Sequence, residues 1–501
     1  MSCNSDPVYH STDYLSACAN AESLHQSLKQ AGFQVQKGAF TPVDFFKMYQ
    51  EKLVRSCNGN NADNPYFACA MPLSPGQTCP DYLEIDNDPP LYLSFRLRPN
   101  EAIVLVGKTP PEVKYFSYFA FLSTRSPDYV GNPQLDPPIQ IELMKTKPVV
   151  KPQFIPDKDD PSIARREMIF AGLGDTLNRL SLSTPGTPGA AAGNPFEQPV
   201  VLIFTASREI DEMAREAALA AGYPDSAINT GIIPIDFVKL GVDEGDDTFS
   251  IGHRISKNPT DQAAFDQYIK NPGMSVFRIT GPLNPAAKYF PVPKLTPRGD
   301  GRTELSFWNP LHSLRQAILD KFKGDYIPVE LQTNIWLNES YEAIQQNLDN
   351  LGESRDTTYL GSDAFVLPTD AFAIAFGVNH ARTGKCSYAN IVVYGSDLDN
   401  GVVSVADDEF AGSANDFIDG AASEYLYAWK FTYDNRQNGQ PHCTVIPTDL
   451  APGLLKPYYA EAGDYIYLGF RAYLEPTTKV GPAWHELLFD RVIVFVPKAK
   501  Q

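Results

Sequence analysis

Over most of the chain apolar residues recur with period two, and only a few stretches show the 3.6 period of a helix. In LYLSFRLR, Leu91, Leu93, Phe95 and Leu97 share one face, while Tyr92, Ser94, Arg96 and Arg98 share the other. That is the pattern of a strand buried on one side. AIVLVG (102–107), YFSYFAFL (115–122) and IQIELM (139–144) continue the β signal, with TPPEV as the turn between the first two. From Tyr359 onward the chain reads as strands again: AFAIAFGVN, SYANIVVYG, LYAWKFTY, DYIYLGFRAYL and RVIVFV. DYIYLGFRAYL alternates strictly, with Ile466, Leu468, Phe470, Ala472 and Leu474 on one face. Tyr465, Tyr467, Gly469, Arg471 and Tyr473 form the other.

Helical spacing is clearest after PVVLIFTAS, a buried-type strand at 199–207. Ile210, Met213, Ala214, Ala217, Ala218 and Ala221 fall on one face of the next segment, which Gly222 ends. Asn309-Pro310 opens a second helix with the stripe Leu311, Leu314, Ile318, Leu319 and Phe322. A third spans about 339–351, ended by Gly352, and a short one is expected over 17–31. SVFRIT (275–280) is a further strand in this part.

Prolines 148, 152, 156 and 161 and the stretch STPGTPGAAAGNP mark 151–195 as a Pro/Gly-rich linker, with a short helix expected over 161–173. The order of elements predicts an α+β fold with an antiparallel β-sandwich built from both ends of the chain. The expected division is a Cys-containing region at 1–85, a sandwich from 86–150 and 359–501, and an inserted or adjoining α/β region at 196–352. Three consecutive domains are the alternative.

The 501 residues carry a formal charge of −18, which disfavours generic binding to nucleic acid or to an anionic membrane. No apolar run is long enough for a membrane span. The first fourteen residues are polar and read as no signal peptide, which leaves a cytosolic chain or a mature chain with an initiator Met. The seven cysteines favour export. Cys57, Cys69 and Cys79 sit in a turn-rich stretch that would gain from disulfide staples. A secreted or cell-surface location is therefore expected, with a cytoplasmic one as the alternative.

Most familiar motifs fail on inspection. GVNHARTGKCSY has Asn379 where a phosphate-binding loop needs its first Gly, and Cys386 where it needs Ser or Thr. No GxGxxG follows the strand at 199–205, and neither GxSxG nor HExxH occurs. No CxxC pair or histidine pair suggests a transition metal, and no cofactor is expected. The acidic loops at 243–247, 397–400 and 407–409 read as solvated turns, with calcium binding as the alternative.

One charge pattern stands out. Tyr359 to Tyr425 holds ten acids and two bases, a net charge of −8, and both bases, Arg382 and Lys385, lie in one turn beside His380. The turn reads as the tip of a hairpin, and Arg355-Asp356 lies just upstream. In the functional reading Arg355, Arg382 and Lys385 hold an anionic or carbonyl ligand, His380 is general acid or base, and Asp356 or another Asp orients it. In the structural reading these residues form solvated salt bridges. The second candidate is the polar-aromatic face Tyr465, Tyr467, Arg471 and Tyr473, with Arg96 as a neighbour, which suits sugars or a partner surface. The expected function is a cofactor-free acid–base enzyme, hydrolytic in type, acting on a small-molecule or polymer substrate. The alternative is a non-catalytic binding protein for carbohydrate or protein. His253 and His485 are expected to be structural, and His312 a surface residue.

Overall fold

The computed structural model describes residues 12–50, 54, 56–85, 87–126, 154–156, 164–284, 286, 288–448 and 458–499. The fold is mostly strands in several antiparallel sheets, with few helices. The chain divides into two compact units. The first comprises Met1–Val43, Tyr66–Ser126 and Thr176–Lys294; the second comprises Asp44–Pro65, Pro127–Asp175 and Leu295–Gln501. The expected strand at 139–144 and Pro148, Pro152 and Pro161 lie outside the described residues.

In the first unit one sheet has the strand order Gln34–Lys37, Ser275–Thr280, Glu101–Lys108, Pro199–Thr205, Ile228–Ile232. Only its last pair is parallel, and the helix Arg208–Ala220 makes that crossover. Ser207 caps this helix by accepting from the Ile210 N–H, and Ile210, Ala214, Ala217 and Ala218 are buried. Those side chains share a core with Leu24 and Leu28 of the helix Thr12–Gln30 and with Val104, Val201, Ile203 and Ile279 of the sheet. A second antiparallel sheet orders Ala39–Val43, Tyr66–Ala70, Thr248–Ile255 and Phe116–Arg125.

The second unit holds two sheets, each with a strand order of five. The first runs Tyr326–Leu331, Arg491–Pro497, Phe372–Val378, Leu426–Thr432, Cys443–Val445. The second runs Thr333–Ile335, Thr357–Ser362, Tyr465–Tyr473, Tyr388–Gly395, Asn400–Ala406. One core takes Ala373, Ala375, Trp429, Phe431, Val492 and Val494 from the first and Leu360, Ile391, Val393, Ile466, Leu468 and Phe470 from the second. On the outer face of the first sheet the helix Trp308–Phe322 packs Leu311, Leu314 and Ile318 onto Phe372, Phe376 and Phe495. Burial on both faces explains why these strands carry nearly continuous apolar runs.

Several expectations change. The strand Glu101–Lys108 lies between Pro199–Thr205 and Ser275–Thr280, and among the described residues no strand of 86–150 pairs with one of 359–501. The apolar period marks a buried strand but does not name its partner. Residues Ala164–Gly172 form a strand that pairs with Phe154–Pro156, where a helix was expected. The stretch 183–195 is folded rather than extended: Ser183 N–H donates to Asn229 Oδ1 at 2.8 Å and Thr109 Oγ1 to the Pro195 carbonyl at 2.6 Å. Cys57, Cys69, Cys79, Cys386 and Cys443 are free thiols, so the expected staples are absent among the described residues. Cys69 is enclosed in its sheet and the Cys79 thiol donates to the Val242 carbonyl at 3.3 Å. Among the described residues no helix is long and apolar enough to cross a membrane.

Candidate functional site

The turn holding His380, Arg382 and Lys385 is not a hairpin tip. Phe372–Val378 ends in one sheet and Tyr388–Gly395 begins in the other, so the turn carries the chain between sheets. Thr383 N–H bonds to the Asn379 carbonyl at 3.0 Å and Lys385 N–H to the His380 carbonyl at 2.9 Å. Gly384 sits at φ 76°, a conformation that glycine adopts without strain.

His380 is 4% exposed and lies between two carboxylates. Its Nδ1 is 2.9 Å from Glu304 and its Nε2 is 3.5 Å from Asp490. Burial alone would depress its pKa, but Glu304 and Asp490 outweigh burial and raise it to about 10. The imidazole is therefore charged across the neutral range. Glu304 also accepts from Thr383 Oγ1 at 2.8 Å and from Leu488 N–H at 3.0 Å. Asp490 accepts from Tyr427 OH at 2.6 Å.

Lys385 is equally enclosed. Its ammonium bonds to Asp300 at 3.1 Å, to Glu486 at 2.5 Å and to Glu475. Burial disfavours its charge, yet hydrogen bonds to Glu475, Glu486 and Asp300 raise its pKa. Burial opposes charge on Glu486 too, but the Lys385 and Gly301 donors lower its pKa. The oxygens of Asp300, Glu475 and Glu486 lie within 4.8 Å of one another, a spacing that would suit a cation. The Lys385 ammonium takes that place.

Arg382 alone in the turn reaches outward. Its Nη2 is 3.2 Å from Glu424, and its guanidinium lies 5.7 Å from the Tyr425 ring centroid. Beside it opens a surface depression of about 520 Å³. Asn379, Arg382, Ser387, Asp407, Asp408, Asn415 and Glu424 supply its polar lining, and Ala381, Ala411 and Gly412 the rest. Asn379 stiffens this wall, because its amide donates to the Asp407 carbonyl and its oxygen accepts from Arg382 N–H.

Arg355 belongs to a different cluster. It bonds to Asp175 Oδ1 at 2.7 Å, to the Thr296 carbonyl at 2.6 Å and to Glu339. Arg298 joins Glu339 to Glu353, whose burial pushes its pKa up to about 7. Asp356 is wholly buried and accepts from Thr357 Oγ1 at 2.9 Å.

The tyrosine-rich face is mostly covered by residues 57–64. Tyr473 OH accepts from Asn61 Nδ2 at 2.8 Å, and Arg471 donates to the Gly59 carbonyl at 2.6 Å. Trp336, Tyr359 and Tyr394 surround the Arg471 guanidinium at 5.3, 5.5 and 5.5 Å. This is an aromatic cage filled by the chain's own cation. Tyr467 stacks on Tyr394 at 4.9 Å, and only Tyr465 is exposed. Arg96 is in the first unit, buried against Asp81 at 2.7 Å.

His253 is buried between the Ser117 carbonyl and Tyr268 OH, and burial lowers its pKa to about 3. His312 and His485 are exposed. Asp247, in one acidic loop, accepts from Arg125 and from Lys239 N–H. The residues that sequence reasoning missed are Asp300, Glu304, Glu475, Glu486 and Asp490. They lie 76 to 110 positions from their cations, and no local pattern marks them.

No protein-family model and no curated protein matches the chain. Among solved structures, a crystal structure of a protein from Vibrio parahaemolyticus is 10% identical, covers 97% of this chain and 100% of its own, and gives a TM-score of 0.35. A crystal structure of an uncharacterized protein from Burkholderia cenocepacia is 11% identical, covers 96% and 98%, and gives 0.34.

Proposed function

We propose that the chain is a binding protein whose second unit, read as a β-sandwich, holds a polyhydroxylated ligand of the carbohydrate class. The observation that carries this reading is the open depression of about 520 Å³ beside Arg382. Carboxylates, amides and a hydroxyl line it, and these groups accept from and donate to vicinal hydroxyls. The charged clamps at His380 and Lys385 hold the turn that forms one wall, so little ordering is needed on binding.

The acid–base enzyme expected from sequence asked His380 to exchange a proton near neutral pH. A buried imidazolium held by two carboxylates argues against that role. Lys385 is equally committed to three carboxylates, which leaves Arg382 as the exposed member of the set.

The test is a glycan-array screen followed by calorimetry on the full chain. The reading expects a glycan hit that Asp408→Ala with Asn415→Ala weakens about tenfold or more, as loss of two direct hydrogen bonds would. Absence of any glycan hit, or a hit indifferent to that double variant, overturns it.

A further inference from the structure

We propose that the depression selects a cationic glycan, a chain of amino sugars, and that Arg382 occupies in the free protein the place the ligand's ammonium takes on binding. The proposal deepens the carbohydrate reading and rests on it.

The lining sets Asp407, Asp408 and Glu424 against Arg382, a formal balance of −2. A cation is therefore drawn to this surface and an anion repelled. At its edge Glu424, which lines the depression, and the Tyr425 ring, which lies outside the lining, offer a carboxylate beside an aromatic face, the pairing that receives an ammonium or guanidinium group. The chain's own guanidinium already sits there, 3.2 Å from Glu424 and 5.7 Å from the ring centroid.

That internal pair is easily exchanged. The side chains of Arg382 and Glu424 are 57% and 50% exposed, and exposed ion pairs contribute little. The backbone behind them is fixed, because Arg382 N–H bonds to Asn379 Oδ1 and the buried His380 and Lys385 flank it. Moving one long side chain therefore frees a carboxylate–aromatic site without moving the wall. A uronic or sulfated glycan would meet three carboxylates and would have to draw Arg382 from Glu424. A neutral glycan would use the hydroxyl-binding groups but gain nothing from the charge.

The test is calorimetry of the full chain with three oligomers of equal length: glucosamine, N-acetylglucosamine and glucose, in mildly acidic low-salt buffer. Glucosamine tetramer is expected to bind about tenfold more tightly than its acetylated form, one charge-assisted bond's worth. Salt should shrink the difference. Glu424→Gln should abolish it. Arg382→Ala, which removes the internal competitor, should tighten glucosamine binding about threefold. Equal binding of the two amino-sugar forms overturns the cationic preference while the carbohydrate reading stands. Weaker glucosamine binding in Arg382→Ala overturns the stand-in role. Failure of all three oligomers to bind overturns the cationic preference, and the carbohydrate reading falls with it when the glycan array also gives no hit.

Discussion

The buried His380 makes a prediction about stability and pH. Its folded pKa is raised from 6.5 to about 10. A group raised in this way contributes stability that is complete below its unfolded pKa and is lost as pH climbs through the folded value. The rise corresponds to roughly 5 kcal/mol, lost at about 1.4 kcal/mol per pH unit between pH 6.5 and 10. Other groups act in neighbouring windows. Burial raises Asp349 to about 8, so its contribution falls away between its ordinary value of 3.8 and pH 8. Burial also raises the Cys57 and Cys69 thiols, which act above pH 9. The interval from pH 8 to pH 9 therefore isolates His380 best. Trp308, Trp336, Trp429 and Trp484 all belong to the second unit, so tryptophan fluorescence during urea unfolding follows that unit. Wild type should lose about 1.4 kcal/mol across this interval, and His380→Gln, though less stable at neutral pH, should lose almost none. Equal slopes in the two proteins would refute the claim that a buried imidazolium is held by Glu304 and Asp490.

Lys385→Met strips the ammonium from three carboxylates and should cost about 3–5 kcal/mol in urea unfolding at neutral pH. Millimolar calcium should raise the melting temperature of that variant but not of wild type, because the oxygens of Asp300, Glu475 and Glu486 are within 4.8 Å. In the first unit, Ser207→Ala removes the cap of the helix Arg208–Ala220 and should cost about 1 kcal/mol, read by circular dichroism during urea unfolding. Alkylation in denaturant without reductant, followed by peptide mapping, should label Cys57, Cys69, Cys79, Cys386 and Cys443, whereas under native conditions the buried Cys57, Cys69 and Cys386 should stay unlabelled.

Local elements were legible where one interaction decides them. The helix after Pro199–Thr205 was readable because its 3.6 period and terminal glycine act within the segment. The helix at Trp308–Phe322 was readable too, from its Leu311, Leu314 and Ile318 stripe. Strand partners were not, because a run such as AIVLVG fits any doubly buried position. The turn at 380–385 was singled out by its charge contrast, and it does border a depression. What local reading could not supply is the set of carboxylates beneath it, since Glu304 is 76 residues from His380 and Glu486 is 101 from Lys385. The tyrosine-rich face was legible as a strand face, but the cover formed by 57–64 is a long-range contact. Arg471 looked like a ligand-binding cation and instead fills an internal aromatic cage.

Hydrogen–deuterium exchange with glucosamine tetramer tests the binding account most directly. Ligand should slow exchange in peptides covering 379–387, 407–415 and 421–425, and leave the segment 57–64, which covers the tyrosine-rich face, unchanged. Protection at 57–64 with none at the Arg382 depression would contradict the account.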